Sequence, residues 1–390
     1  MKEKTLRSEL YKSFQERFQK EPLIVRSPGR VNIIGEHTDY NDGFVLPAAI
    51  DKSIYVAVAK REDATISLFS KEFNDAFEIN IKDLQRSEKQ WANYILGVVA
   101  QLQKHNYSIS GFELMIDGDV PIGAGLSSSA AVECATAFAL NELFQLSIDK
   151  LDMVKMAQKA EHEYAGVMCG IMDQFASMFG KADSVIRLDC RSLEYQYEPF
   201  KMEGIKIVLL NTNVKHSLSS SEYNVRRQQC EDGVAMVKEK YPDVINLRDV
   251  TLAMLEEMVA PIDPLIYKRC KYVVDENQRL LEACEALEKG DIETLGQKMY
   301  GSHKGLSVEY EVSCKELDFL VDQVRNNPYV LGARMMGGGF GGCTINLVKE
   351  DAVEELVREL SVAYTDAMDK TLTAYIAVIN PGTSIASLNI

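Results

Sequence analysis

The chain has 390 residues, 46% hydrophobic and 26% charged, a make-up that suits a globular protein and a length that favours two domains. A formal net charge of -15 and a sequence pI near 5.0 argue against a nucleic-acid or anionic-membrane surface, where Lys and Arg neutralise phosphates, so any phosphate must be held locally. The eight cysteines are scattered, without a C-x-x-C pair or a short His/Cys spacing suited to zinc, and reduced, buried thiols are expected.

In chain order, Met1 is followed by Lys2, Glu3, Lys4 and an amphipathic run through Leu6, Leu10, Phe14 and Phe18, which reads as a helix and lacks the apolar block of a signal peptide. No apolar run approaches the ~20 residues of a membrane span, so a cytoplasmic location is expected. Residues 22 to 80 read as strands, rich in β-branched and aromatic residues and broken by Gly, Pro and Asp. Within them "GRVNIIGEHTDYNDGFVLP" (29 to 47) gathers a cation, a histidine and acidic side chains around its glycines, and reads as two strands feeding a charged pocket. Trp91 to Lys104 has helical apolar spacing, "SGFELMIDGDVP" reads as a strand ending at Pro121, and "AAVECATAFALNELF" as a strong helix. Residues 148 to 166 repeat the helical pattern, with Asp149 as N-cap and Gly166 as stop. Strand character returns in "SVIRLDC" and "YEPFKMEGIKIVLLNT", and the domain boundary is placed there: an N-terminal domain over 1–200 and a C-terminal domain over 201–390. Residues 219 to 300 read as mostly helical, with "DENQRLLEACEALEKGDIETLGQKMY" as one long amphipathic element, and short helices and strands alternate to the end.

Two glycine loops carry the sharpest local signals. In "PIGAGLSSSAA" (121 to 131), Gly123 and Gly125 allow close backbone approach, Ser127 to Ser129 supply hydroxyls, and the following helix aims its free N–H groups and positive dipole end at the same spot. That is a phosphate cradle without the Gly-Lys-Ser/Thr ending of a Walker A loop. In "GARMMGGGFGGC" (332 to 343), five glycines occupy the six positions from 337 to 342, so a ligand or another backbone is expected very close.

These loops and the stretch at 29 to 47 together resemble the three motifs of the galactokinase, homoserine kinase, mevalonate kinase and phosphomevalonate kinase family. Residues 29 to 47, with "CGIMDQFAS" at 169 to 177, are similar to the galactokinase signature within it, and the resemblance spans essentially the full chain. It implies an α+β fold, a two-domain small-molecule kinase with its active site in the interdomain cleft, phosphorylating the C1 hydroxyl of galactose with ATP and Mg²⁺ in the first committed step of galactose catabolism. Phosphoryl transfer needs positioning, neutralisation of the phosphates and a group that orients or deprotonates the acceptor hydroxyl. By the resemblance Asp173 is the base and Arg30 stabilises the transferring group, the arginine favouring the ionised carboxylate. Ser129 and Glu161 are implied to hold Mg²⁺, a sparse set that suits an ion keeping waters and phosphate oxygens.

The resemblance further assigns Glu36, His37, Thr38, Asp39, Gly170 and Tyr223 to the sugar, and Gly123, Ala124, Gly125, Leu126, Ser127, Ser128 and Ser129, with Ser70, to ATP. The chain departs from the family at Met336, where a threonine is common after "GARM". A kinase of a related sugar such as N-acetylgalactosamine and a non-catalytic galactose and ATP sensor are the alternatives. The expected partners are small molecules, galactose and ATP, with no nucleic acid and no membrane, and a monomer is expected.

Overall fold

The computed structural model describes residues 2–200, 202–214 and 219–387. The N-terminal run is helix α1 (Lys2–Phe18), whose Leu10 and Phe14 are fully buried against Tyr55 and Met115 of the first sheet. The β-branched stretches that follow are β1 (Leu23–Asn32), β2 (Phe44–Val45), β3 (Pro47–Lys60), β4 (Thr65–Ser70) and β5 (Asp75–Asn80). After α2 (Gln90–Lys104), β6 (Phe112–Gly118) runs parallel to β4 and antiparallel to β3, giving the order β1-β3-β6-β4-β5.

Helices α3 (Ser128–Phe144), α4 (Lys150–Ala160) and α5 (Met172–Phe179) join α2 in the largest apolar core. Its alanine-rich sequence lets α3 pack closely on β1 and β3, and the helix is buried on nearly every side. Asp149 caps α4 by accepting from the Leu151 and Asp152 N–H groups, and Gly166 ends the helical run at φ +80, both as the sequence predicts. Between them, residues Glu161–Ala165 form a π turn, a distortion that tends to mark functional positions.

β7 (Ser184–Asp189) and β8 (Tyr195–Pro199) form a small sheet with β2. β9 (Ile205–Asn211) then opens a second part of the chain, followed by α6 (Ser219–Lys238), α7 (Leu252–Met258), α8 (Pro264–Glu288), α9 (Ile292–Lys304) and α10 (Lys315–Val324). β10 (Val330–Met335), β11 (Cys343–Lys349), α11 (Val353–Met368) and β12 (Thr373–Ala377) complete a four-stranded antiparallel sheet of order β10-β11-β9-β12. The last strand, β13 (Ser384–Ile385), returns to pair with β1.

Two boundaries differ from the sequence reading. The strand expected to reach Pro121 ends at Gly118, and the element expected from Asp275 to Tyr300 is two helices. Gly290 takes φ +69 there, and the Asp291 carboxylate caps the new helix at the Thr294 N–H, so a Gly-Asp turn outweighs the amphipathic pattern. All eight cysteines are free and six are buried, as expected.

One apolar cluster joins the two sheets: Val31, Ile33 and Leu46 pack with Leu280, Leu209 and Ile345, which suspends residues 29 to 47 between the two halves.

Candidate active site

The strand register between β1 and β3 shifts between Pro28 and Arg30. A Cβ on Gly29 would stand 2.6 Å from the Leu126 carbonyl oxygen, and the Arg30 N–H donates to that same oxygen at 3.1 Å. Glycine therefore lets β1 lie against the serine-rich loop, and the irregularity turns the Arg30 side chain inward. Its guanidinium donates through Nε and Nη2 to Asp173 Oδ1 at 2.8 Å and Oδ2 at 2.9 Å, and through Nη1 to the Gly125 carbonyl at 2.6 Å. The Ser127 hydroxyl adds a third bond to the Asp173 carboxylate, at Oδ2 and 2.5 Å. Both oxygens of Asp173, on the first turn of α5, are thus oriented by donors from two other segments.

Ser127 adopts φ 58 and ψ 51, a left-handed conformation that costs a non-glycine residue about 1–2 kcal/mol, and makes no side-chain cap to α3. Its hydroxyl belongs to Asp173, which leaves the first N–H groups of α3 open as anion donors. Ser129 donates to Glu161 Oε1 at 3.0 Å, and buried Gln174 bridges Glu161 Oε2 at 2.7 Å and Glu133 Oε2 at 3.0 Å. Burial, with Asp173 nearby, pushes the Glu161 carboxyl up to about 7, and burial beside Glu161 pushes Glu133 well above the usual range. Glu133 Oε1 and Gln174 Oε1 are buried without a partner. The corner is rich in carboxylates and short of positive charge.

The opposite wall is built by residues 36 to 40. Burial disfavours the Glu36 carboxylate, but Arg334 and Arg30 outweigh it and hold its pKa below the usual value; its Oε1 accepts from Arg334 and from the Gly337 N–H, both at 2.8 Å. His37, left-handed at φ 61, shares a hydrogen bond with Tyr40 at 2.7 Å, while its Nε2 is buried and unpartnered. Burial lowers its pKa to about 4, so at neutral pH it is an uncharged imidazole. Asp39 is reachable from the cavity but enclosed elsewhere, and burial with Asp173 and Glu36 close by raises it to about 7.

These groups surround a cavity of about 390 Å³ lined by Arg30, Glu36, His37, Asp39, Asp173 and Tyr223, with Gly123, Gly125, Leu126, Ser127, Ser128, Ser129 and Glu161. Thr38, Gly170 and Ala124 stand behind its wall. The Thr38 hydroxyl is buried on the Gly35 and Phe44 carbonyls, and a Cβ on Gly170 would fall 2.0 Å from the Asp39 carboxylate. Ser70 lies apart, in an adjoining apolar cavity of about 250 Å³ with Phe73, Trp91 and Val132 that shares Tyr94, Ser128 and Ser129 with the first.

Sequence reading assigned no role to Tyr94, Trp91, Gln174, Gly337 or Arg334. Tyr94 and Trp91 were hidden by an ordinary helical pattern, whereas an arginine inside the strand-like "VLGARM" was a usable sign of a buried partner.

Three family models match: "Galactokinase galactose-binding signature" over residues 12–60, "GHMP kinases N terminal domain" over 93–181 and "GHMP kinases C terminal" over 283–366. Galactokinase of Thermotoga maritima is 46% identical over 344 residues, covering 88% of this chain and 94% of that one. Galactokinase of Clostridium acetobutylicum is 44% identical over 361 residues, covering 91% and 92%. The crystal structure of Lactococcus lactis galactokinase complexed with galactose superimposes with a TM-score of 0.93 at 35% identity, covering 97% of this chain and 99% of that one. Methanococcus jannaschii mevalonate kinase shares the fold, with a TM-score of 0.64 at 17% identity over 93% of this chain and 99% of that one.

Proposed function

The chain belongs to the galactokinase family, and on that premise we propose that it transfers the γ-phosphoryl group of ATP to the C1 hydroxyl of galactose, giving galactose 1-phosphate and ADP. The observation that carries the residue assignment is the contact of Arg30 with both Asp173 and the Gly125 carbonyl, which joins the acceptor side to the phosphate loop through one side chain.

In this reading the sugar occupies the cavity between the Glu36 to Asp39 wall and Asp173, with Tyr223 alongside, and the phosphates lie over Gly123 to Ser129 at the start of α3. Asp173 accepts the hydrogen bond of the C1 hydroxyl and takes its proton as the new O–P bond forms and the bond to the ADP oxygen breaks. Three donor contacts fix the carboxylate before the sugar arrives, so orientation supplies part of the rate. Arg30 stays charged and brings its cation beside the loop where negative charge builds up. The apolar cavity holding Ser70, Trp91 and Tyr94, which adjoins the phosphate loop at Ser128 and Ser129, would take the purine base.

The donor set suits Mg²⁺ at Ser129 and Glu161: a buried carboxyl raised to about 7, beside Glu133, lacks a cation. Among the described residues no trio of His, Cys, Asp or Glu could hold a metal alone, so phosphate oxygens and water would have to complete the ion's shell. When bound it would neutralise phosphate charge; Gln174 fixes Glu161 for that purpose. Among the described residues no helix is long and apolar enough to cross a membrane, and we expect a cytoplasmic monomer acting on small molecules, with domains dividing near residue 200.

The test is ADP release with Mg-ATP and a panel of galactose, glucose and N-acetylgalactosamine, for the wild type and Asp173→Ala. Galactose turnover that falls roughly 10²–10⁴-fold in the variant is expected. An inert wild type that still binds both ligands would make it a sensor, a preference for another sugar would change the substrate, and a fully active variant would remove Asp173 from the chemistry.

A further inference from the structure

Arg334 heads the fully buried side chains by volume, with 0% exposure. Nothing in the chemistry above uses it, yet a guanidinium without water is costly unless its N–H groups are satisfied. Four of them are. Nε donates to the Ile33 carbonyl at 2.8 Å, Nη2 to the Asn32 carbonyl at 2.7 Å and to Glu36 Oε1 at 2.8 Å, and Nη1 to the Met335 carbonyl at 2.8 Å. Arg334 belongs to β10, in the second sheet, while three of its four acceptors lie at or just beyond the end of β1, in the first. It is a staple between the two halves, placed where the cavity opens.

Glu36 Oε1 is shared. It also accepts from the Gly337 N–H, so this oxygen is held wholly from the C-terminal half, while Oε2 has no partner among the described residues and the side chain lines the cavity. Gly337 in turn takes φ +80 and rests on the phosphate loop: a Cβ there would be 3.3 Å from the Gly125 carbonyl oxygen, the oxygen that receives Arg30. One carboxylate therefore faces the sugar site with one oxygen and anchors the second glycine loop with the other. The loop it anchors touches the nucleotide site.

We propose that Arg334 is a positioning residue that couples the sugar and nucleotide sites, by locking Glu36 Oε1 to the second glycine loop so that Oε2 is presented to the sugar only when that loop is seated on the phosphate loop. This rests on the assignment of Glu36 to the sugar pocket. A nucleotide that orders Gly125 fixes Gly337, and a fixed Gly337 holds Glu36 in place for the sugar; by linkage the sugar returns the same factor to the nucleotide. Lysine cannot replace the staple, because a single ammonium cannot span the Asn32, Ile33 and Glu36 oxygens as the planar fork does.

The experiment is calorimetric titration of galactose into the intact enzyme, with and without saturating Mg-ADP. In the wild type the galactose Kd is expected to fall about fivefold or more when ADP is present, within the usual range of coupling between sites. Arg334→Lys is expected to bring that ratio close to one while leaving the Kd for ADP alone within about twofold, a pattern that general loss of structure would not produce. A wild-type ratio of one, or an undiminished ratio in Arg334→Lys, overturns the proposal. If Arg334→Lys does not fold, Glu36→Gln carries the same measurement, since it weakens the shared contact and keeps the carbonyl bonds of Arg334; a full ratio there also overturns it. Absence of galactose binding in every condition would instead sink the proposed function, and this inference with it.

Discussion

The two glycine loops look alike on paper and do opposite things in space. In the loop at 121 to 129, Gly123 has φ +76 with nothing within 4 Å of an added Cβ, and Gly125 meets only the Met336 carbonyl at 3.5 Å. That loop is open, and its glycines supply left-handed turns around room left for a ligand. In the loop at 337 to 342, a Cβ on Gly339 would be 2.1 Å from the Val312 carbonyl oxygen, and one on Gly341 2.5 Å from that of Val214. Here the glycines permit backbone to pack on backbone, and the close neighbour expected from the sequence is the protein itself. Glycine content reports that something comes near; whether ligand or chain is decided by the fold.

Alanine substitutions separate the two roles. Gly339→Ala adds both a left-handed penalty and a collision with backbone, and should cost roughly 2–5 kcal/mol in urea unfolding; a variant as stable as the wild type would mean that this loop is not packed as described. Ser127→Gly sharpens the contrast from the other side. It relieves the left-handed strain and removes the bond to Asp173, so the melting temperature should hold or rise while kcat drops about 10–100-fold, the value of a hydrogen bond to a charged group. Loss of stability without loss of rate would reverse the assignment. Gly123→Ala should cost only about 1 kcal/mol of stability, with its main effect a higher KM for ATP in steady-state assays.

The smallest effect concerns charge. Asp39 and Glu161 are both raised to about 7, so the folded chain binds more protons than the unfolded one between their ordinary range and 7. Their contribution favours folding at low pH and is lost as pH rises towards 7. Melting curves of Asp39→Asn should gain on the wild type from pH 5 to pH 8, and a constant difference would show that Asp39 is ionised throughout.

Within the sheets and helices, the sequence pattern was close to the result: runs rich in β-branched and apolar residues became β1, β3 and β9, and Asp149 and Gly166 bounded their helical run. At the site, Asp173, Arg30, Ser129 and Glu161 were singled out only because each lay inside a motif that resembles the family's. Their meeting across 143 positions, in the Arg30 to Asp173 pair, was implied by the resemblance and by no local pattern. Thr38 shows the limit from within a motif: it sits among the site residues in the chain, but its hydroxyl is taken up by the Gly35 and Phe44 carbonyls.

What the amino-acid sequence determined by itself was local: strand and helix periods, caps, the cradle at the start of α3, and a set of residue types suited to phosphoryl transfer. Only the tertiary structure decided which oxygen of each carboxylate is free. Ser127 serves Asp173 rather than capping its helix, and Glu36 gives one oxygen to Arg334 and Gly337, because burial removes water and drives most polar atoms to a protein partner. Those partners come from distant segments, and no local pattern encodes them.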